Sequence, residues 1–124
     1  MLERLFNTDT FFTAQGALNG ISARHSAIAN NLANANTPGY KRNEVPFESA
    51  LSQALKVHNI DHPAAFNPSM VKNAGGSIRA DGNNVDMEQE MVRLAENSLR
   101  YETLTHYIGQ YFSGLKTVIN SGGK

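Results

Sequence analysis

Cysteine and tryptophan are absent from the 124 residues, only four prolines occur, and neither sign of charge is in excess, with 11 Lys and Arg against 11 Asp and Glu. Without cysteine, thiol catalysis, disulfide bonds and thiolate zinc sites are excluded together. Without net charge there is no field to gather nucleic acid or anionic lipid. No apolar run approaches the roughly 18 residues of a membrane span. The opening Met1-Leu2-Glu3-Arg4-Leu5-Phe6-Asn7 sets an acid beside a base with no apolar block behind it, and so does not read as a secretory signal peptide.

What is present is helical rhythm at the two ends. Between positions 8 and 35 only Asp9 and Arg24 are charged, and Phe11, Ala14, Leu18, Ile21, His25, Ile28, Leu32 and Ala35 recur at steps of three and four. The spacing predicts a helix over residues 8–36 after a flexible 1–7. Pro38-Gly39 ends it, because Pro38 drives Thr37 out of helical space and Pro-Gly suits the centre of a type II turn.

Residues 37–85 lose the pattern. Pro46, Pro63, Pro68, Gly75-Gly76 and Asp81-Gly82-Asn83-Asn84 cut the segment into short pieces. A short helix is expected over residues 47–55, with Phe47, Leu51 and Leu55 on one face, and a short hairpin around residues 70–79. A second long helix is expected over residues 86–120, capped by Asp86 with Gln89 in the capping-box position, and with Glu88 and Glu90 at the positive end of its dipole. Its seam reads Met87, Met91, Leu94, Ser98, Tyr101, Thr105, Ile108, Phe112, Leu115 and Ile119. It ends in Asn120-Ser121-Gly122-Gly123, leaving 121–124 as a tail.

The fold class that follows is mainly α: one domain, 1–124, with long N- and C-terminal helices paired as an antiparallel coiled coil around an irregular middle. The coiled-coil seam is assigned to Phe11, Leu18, Ile21, Ile28 and Leu32 on one side and Met87, Met91, Leu94, Tyr101, Ile108, Phe112, Leu115 and Ile119 on the other. Off the seam, charge is scarce. Residues 103–119 carry only Lys116, while Leu104, Tyr107, Tyr111 and Val118 form a further apolar row. Helices uncharged on several faces are buried on several sides, and with no membrane span the burial falls to other protein chains.

No constellation for catalysis, cofactor or metal emerges. His58 and His62 have ligand-like spacing, but no further ligands follow and Pro63 breaks the helix they need. Asp81-Gly82-Asn83-Asn84-Val85-Asp86 departs from a calcium loop at its fifth and sixth positions. Glu88, Glu90, Glu96 and Glu102 read as a solvated or salt-bridged face shared with Arg93 and Arg100. His25 and His106 read as boundary packing. The Tyr101, Tyr107, Tyr111 and Phe112 cluster reads as packing too, because only Lys116 accompanies its later members.

Two stretches carry a resemblance. Ala29-Asn30-Asn31-Leu32-Ala33-Asn34-Ala35-Asn36-Thr37-Pro38-Gly39-Tyr40-Lys41 closely resembles the N-terminal signature of bacterial flagellar rod and hook proteins, and Gly82-Asn83-Asn84-Val85-Asp86-Met87-Glu88-Gln89-Glu90-Met91 resembles the motif that opens their C-terminal helix. Length and the continuation Arg42, Val45-Pro46-Phe47-Glu48 and Leu51 are most similar to the proximal-rod branch of the flagellar basal-body rod family. The resemblance implies a structural, non-enzymatic axial protein of the periplasmic rod, exported unfolded by the flagellar type III apparatus without a cleaved signal. Implied partners are other copies of the chain, the rod proteins FlgC, FlgF and FlgG, and FliE with the membrane ring at the rod base. No cofactor is implied. The implied assembly positions are Ala29, Asn30, Asn31, Leu32, Ala33, Asn34, Asn36, Thr37, Pro38, Gly39, Tyr40, Asn83, Asn84, Val85 and Asp86.

Physical reading agrees: Ala27, Ala29, Ala33 and Ala35 permit close helix approach, while Asn30, Asn31 and Asn34 offer uncharged donors and acceptors to the short loop or to neighbours. An FlgC-type rod subunit is the near alternative. A soluble helical adaptor or export chaperone is the alternative from another class, since it also explains apolar stripes, though not the Asn-rich signature.

Overall fold

The computed structural model describes residues 9–56 and 68–122. In chain order these form α1 (Asp9–Ala33), β1 (Asn43–Glu44), α2 (Phe47–Lys56), β2 (Val71–Lys72) and α3 (Met87–Gly122). The expectations for residues 1–7 and for His58 and His62 lie outside the described residues. Among the described residues no helix is long and apolar enough to cross a membrane.

Helices α1 and α3 pack antiparallel: Asn31 meets Glu90, Asn97 meets the carbonyl of Ile21, and Phe11 meets Phe112 edge-on at 5.9 Å. On α1 the buried positions Ala14, Ile21 and Ile28 fall seven apart, with Ala35 continuing the interval just beyond the helix. Phe11, Leu18 and Leu32 are half-buried between them, and His25, expected in the seam, is exposed.

The partner face of α3 departs from the expected frame. Its buried residues are Glu90 and Asn97, and Leu104 and Tyr111 continue that interval half-buried. Leu94, Thr105, Ile108 and Leu115 are half-buried as well. Met87, Met91, Tyr101 and Ile119, assigned to the seam, are 48–55% exposed, and Ser98 is exposed too. Phe112 is 39% exposed despite its ring contact. Glu90 and Asn97 have hydrogen-bond partners on or beside α1, and satisfying them turns the helix about one residue away from the register its apolar residues alone select.

The helix ends are decided by side chains. Asp86 Oδ1 accepts from the N–H groups of Glu88 and Gln89 at 3.0 and 3.2 Å, as its capping role requires. Gln89 does not return the bond; its Oε1 accepts from Arg93 at 3.3 Å. Helix α1 stops three residues short of the expected 36, because Asn34 spends its amide on the Asn30 carbonyl and its oxygen on Thr37, and the chain tightens into three-residue turns. The turn follows as expected: Tyr40 N–H donates to Thr37 O, with Gly39 at φ 72°.

The hairpin over residues 70–79 does not form. Val71 and Lys72 pair instead with the preceding half of the excursion, antiparallel, in register Asn43 with Lys72 and Glu44 with Val71. Asn84 holds that arrangement by donating to the carbonyls of Asn73 and Gly75, so side-chain bonds outcompete a local strand pair.

Helix α2 docks on α1 where Gly20 leaves room. The core there is Ile21, Ala27, Val45 and Phe47, with Leu51 and Leu104 packed against it. A Cβ on Gly20 would stand 2.3 Å from the Phe47 ring. Arg24 closes the contact from above: its guanidinium lies 4.5 Å from the Phe47 ring centre, donates to Val45 O at 2.8 Å and takes both Glu48 oxygens at 2.7 Å. Gly20→Ala is therefore expected to destabilise the chain by about 2 kcal/mol despite its better helix propensity, through overpacking against Phe47. A urea midpoint at or above that of the parent contradicts this docking.

Candidate functional site

Among the described residues the three largest fully buried side chains are all polar or charged: Glu90, Asn31 and Asn83, each at 0% exposure. They belong to the two stretches singled out in the sequence and form one joint where the end of α1, the Pro38-Gly39 turn, β1 and the start of α3 converge.

Asn31 is the hub. Its amide donates to Asn43 O at 2.9 Å and to Glu90 Oε2 at 3.0 Å, while its oxygen accepts from Asn43 N–H at 2.7 Å and from the Tyr40 hydroxyl at 3.2 Å. Both donors and both lone pairs are used. Tyr40 in turn accepts from the Asn43 amide at 3.1 Å. Burial, and then the nearby Glu90 carboxylate, push the Tyr40 phenol above its ordinary value, so it stays protonated and able to donate.

Glu90 is the buried charge. Its Oε1 accepts from Arg42 Nε at 2.9 Å and from Arg93 Nη1 at 2.6 Å. The acid expected on a solvated or salt-bridged face does pair with Arg93, but it is buried, enclosed between two guanidinium groups and an amide. Arg42 also pairs with Glu44, and its backbone N–H donates to Asn84 Oδ1 at 2.7 Å. A slip of α3 by one turn would leave Glu90 unpaired in the interior, a loss far larger than that of an exposed pair.

Asn83 fixes the other side. Its amide faces the carbonyls of Asn34, Ala35 and Thr37 at 2.9–3.1 Å, satisfying the turns that follow α1, and its oxygen accepts from Val85 N–H at 2.7 Å. Arg79 also donates to Ala35 O. The two loops lie edge to edge: Gly39 N–H donates to Asp81 O at 2.8 Å, Asn84 N–H to Tyr40 O at 3.3 Å, and Lys41 Nζ to Gly82 O. Asp81 Oδ1 accepts from Asn83 N–H at 3.0 Å as a turn residue.

The structure therefore brings together Asn31, Asn34, Thr37, Gly39, Tyr40, Asn83, Asn84, Val85 and Asp86. It leaves Asn30, Ala29, Ala33, Asn36 and Pro38 exposed, while Ala27 and Ala35 are buried and Leu32 is half-buried. Sequence reasoning missed the roles of Arg42, Asn43 and Asn97, as well as those of Arg24 and Gly20 under α2. Asn97 donates to Ile21 O at 3.0 Å, and its own oxygen is buried without a hydrogen-bond partner. Nothing in the local sequence sets Arg42 apart from Lys41; only the position of Glu90 across the fold does. The two charges buried in the joint, Arg42 and Glu90, are paired with each other, and its buried amides bond to the joint's own segments. It is built to hold four segments in one geometry.

A model of the family described as flagella basal body rod protein matches residues 11–41, which run along α1 through the Asn31 hub to the turn. The chain is 34% identical over 122 residues to the flagellar basal body rod protein FlgB of Bacillus subtilis, covering 91% of this chain and 95% of that protein. It is 30% identical to FlgB of Salmonella typhimurium, covering 98% and 99%, and 32% identical to FlgB of Escherichia coli K12, covering 87% and 91%.

Replacing Glu90 by Gln leaves the buried Arg42 short of a counter-charge and is expected to cost about 3 kcal/mol. Denaturant unfolding of Glu90→Gln within about 1 kcal/mol of the parent would refute the central role of the pair. Acid provides a second check. The hydrogen bond from Arg42 holds the Glu44 carboxyl below its ordinary value of 4.5, and that from Arg24 does the same for Glu48. Both acids bind protons more weakly folded than unfolded. Their contributions are intact above about pH 4.5 and fall away as pH drops through and below it. Thermal midpoints followed from pH 7 to pH 3 are expected to decline in that window, and less steeply in Glu48→Gln.

Proposed function

The chain belongs to the flagellar basal body rod proteins, with FlgB as its kind, and from that premise we propose that it is a structural subunit of the proximal rod. In this role it performs no catalysis and transmits torque by packing. The observation that carries the reading is the contrast between a hairpin pinned from inside and an apolar outer face. Val92 and Leu99, about 200° around α3 from the inward Glu90 and Asn97, are 58% and 64% exposed, and Met91 beside them is 55% exposed. A soluble monomer rarely leaves such a row open, whereas a subunit enclosed by neighbours requires it. Contacts between different faces of identical subunits do not close on themselves and generate a helical filament.

In this reading the partners are further copies of the chain, FlgC, FlgF and FlgG along the rod, and FliE with the membrane ring at its base. The flagellar type III apparatus exports the subunit to the periplasm. Asn31, Asn83 and Glu90 act in assembly by setting the angle at which the excursion leaves the hairpin, while the outer faces of α1 and α3 make the contacts. Close-packed joints of this kind transmit strain with little give.

Complementation in a bacterium lacking FlgB provides the test. The chain is expected to restore basal bodies and swimming, and Val92→Glu with Leu99→Glu is expected to abolish both while leaving the inward face untouched. Unimpaired swimming of the double variant, or a concentration-independent dimer of the purified chain, would favour the adaptor reading instead.

A further inference from the structure

Two exposed patches of the chain are complementary in charge. The first lies on the second half of the excursion, where Met70, Val71 and Ile78 are 45%, 44% and 54% exposed beside an exposed Lys72. Residues 68–80 carry Lys72 and Arg79 and no acid. Hydrogen bonds to the joint fix this backbone: Asn84 donates to the carbonyls of Asn73 and Gly75 at 2.6 and 3.0 Å, and the N–H groups of Asn73 and Arg79 donate to Arg42 O and Asn83 O, both at 2.9 Å. Arg79 is engaged with Ala35 O and lies 3.8 Å from Asp81, which leaves Lys72 as the open cation of the patch.

The second patch is the outer face of α3. At about 100° per residue, Glu88, Val92, Leu99 and Glu102 fall within an arc of about 80°. Val92 and Leu99 lie between the two acids, which are exposed and stand about 21 Å apart along the helix, and no Lys or Arg enters the arc. Among the described residues none of Lys72, Glu88 and Glu102 has an ion-pair partner. The chain thus leaves both patches open and does not join them to each other.

We infer that the two patches are the halves of one contact between copies of the chain. Val71 and Ile78 of one copy seat against Val92 and Leu99 of the next, and Lys72 meets the Glu88 or Glu102 carboxylate at the rim. The halves lie on different elements, so the contact is heterologous: a bound pair still offers one free half at each end, and addition is open-ended. Apolar burial supplies the affinity, and the opposed charges steer the approach and fix the register. The inference rests on the rod reading and deepens it, by assigning what covers the outer face of α3.

The test is charge reversal in the full chain, expressed in a bacterium lacking FlgB and read as basal bodies per cell. Lys72→Glu, and separately Glu88→Lys with Glu102→Lys, bring like charges together and are each expected to lower the count about tenfold. The triple variant restores opposite charges with their polarity inverted and is expected to return to within about twofold of the parent. Urea midpoints of the purified chains are expected to show no coupling, Lys72→Glu moving neither that of the parent nor that of the Glu88→Lys/Glu102→Lys chain. An unchanged count in Lys72→Glu would overturn the inference. So would a triple variant no better than the others, because a contact with a different protein is not repaired by changing this chain's own α3. Coupled midpoints would overturn it too, by placing the contact inside one chain. If the unaltered chain builds no basal bodies, the rod reading fails and takes the inference with it; basal bodies from the unaltered chain without repair in the triple variant defeat the inference alone.

Discussion

The architecture depends on one buried charge. Glu90 lies in the seam between the long helices, satisfied by Arg42 and Arg93 on one carboxylate oxygen and Asn31 on the other. A lone carboxylate in that position would be expelled or neutralised. The pairing therefore fixes the axial register of α3 on α1, the path of β1 beside them and the rotation of α3 about its own axis. Buried polar groups at a helix seam add little net stability, but they discriminate strongly against slipped alternatives.

From this constraint the apolar packing takes its shape. Turning Glu90 and Asn97 inward sends Met87, Met91, Val92 and Leu99 outward, so the interior of the pair is poor in large apolar side chains near the joint. The remaining apolar core is displaced to the junction with α2, where Phe47 packs over Gly20 and Arg24 lies over its ring. The molecule thus has a polar pin, a small apolar anchor beside it, and long helical ends joined by Phe11 against Phe112 and a row of half-buried residues.

That distribution suits a component whose work is mechanical. A subunit of a rigid shaft must not slip internally, which the ion pairs at the joint prevent. It must also leave its apolar surface for its neighbours, which the rotated α3 does. The same choice leaves an apolar surface on the subunit for its neighbours to cover.

Much of this was legible in the residues. The steps of three and four in α1, the Asp86 cap, the Pro38-Gly39 turn and the two Asn-rich stretches established two long helices, the start of the second and the segments that matter, because periodicity, capping and turn chemistry act over a few residues; the far ends did not follow, α1 stopping at Ala33 and α3 running on to Gly122 past the expected 120. The short helix beginning at Phe47 followed from the same rule. The seam of α3 did not, since period alone ranks Met91 above Glu90 and cannot see the guanidinium groups that make the acid the inward residue. The strand at Val71 did not either, because its partner Asn43 is brought to it by Asn84 and Asn31 rather than by any local turn. The sequence by itself determined which segments are helical and that their surfaces await other chains. Tertiary structure alone decided which face of α3 is inside, because that choice belongs to the pairing of Glu90 with Arg42 and Asn31, residues 48 and 59 positions away.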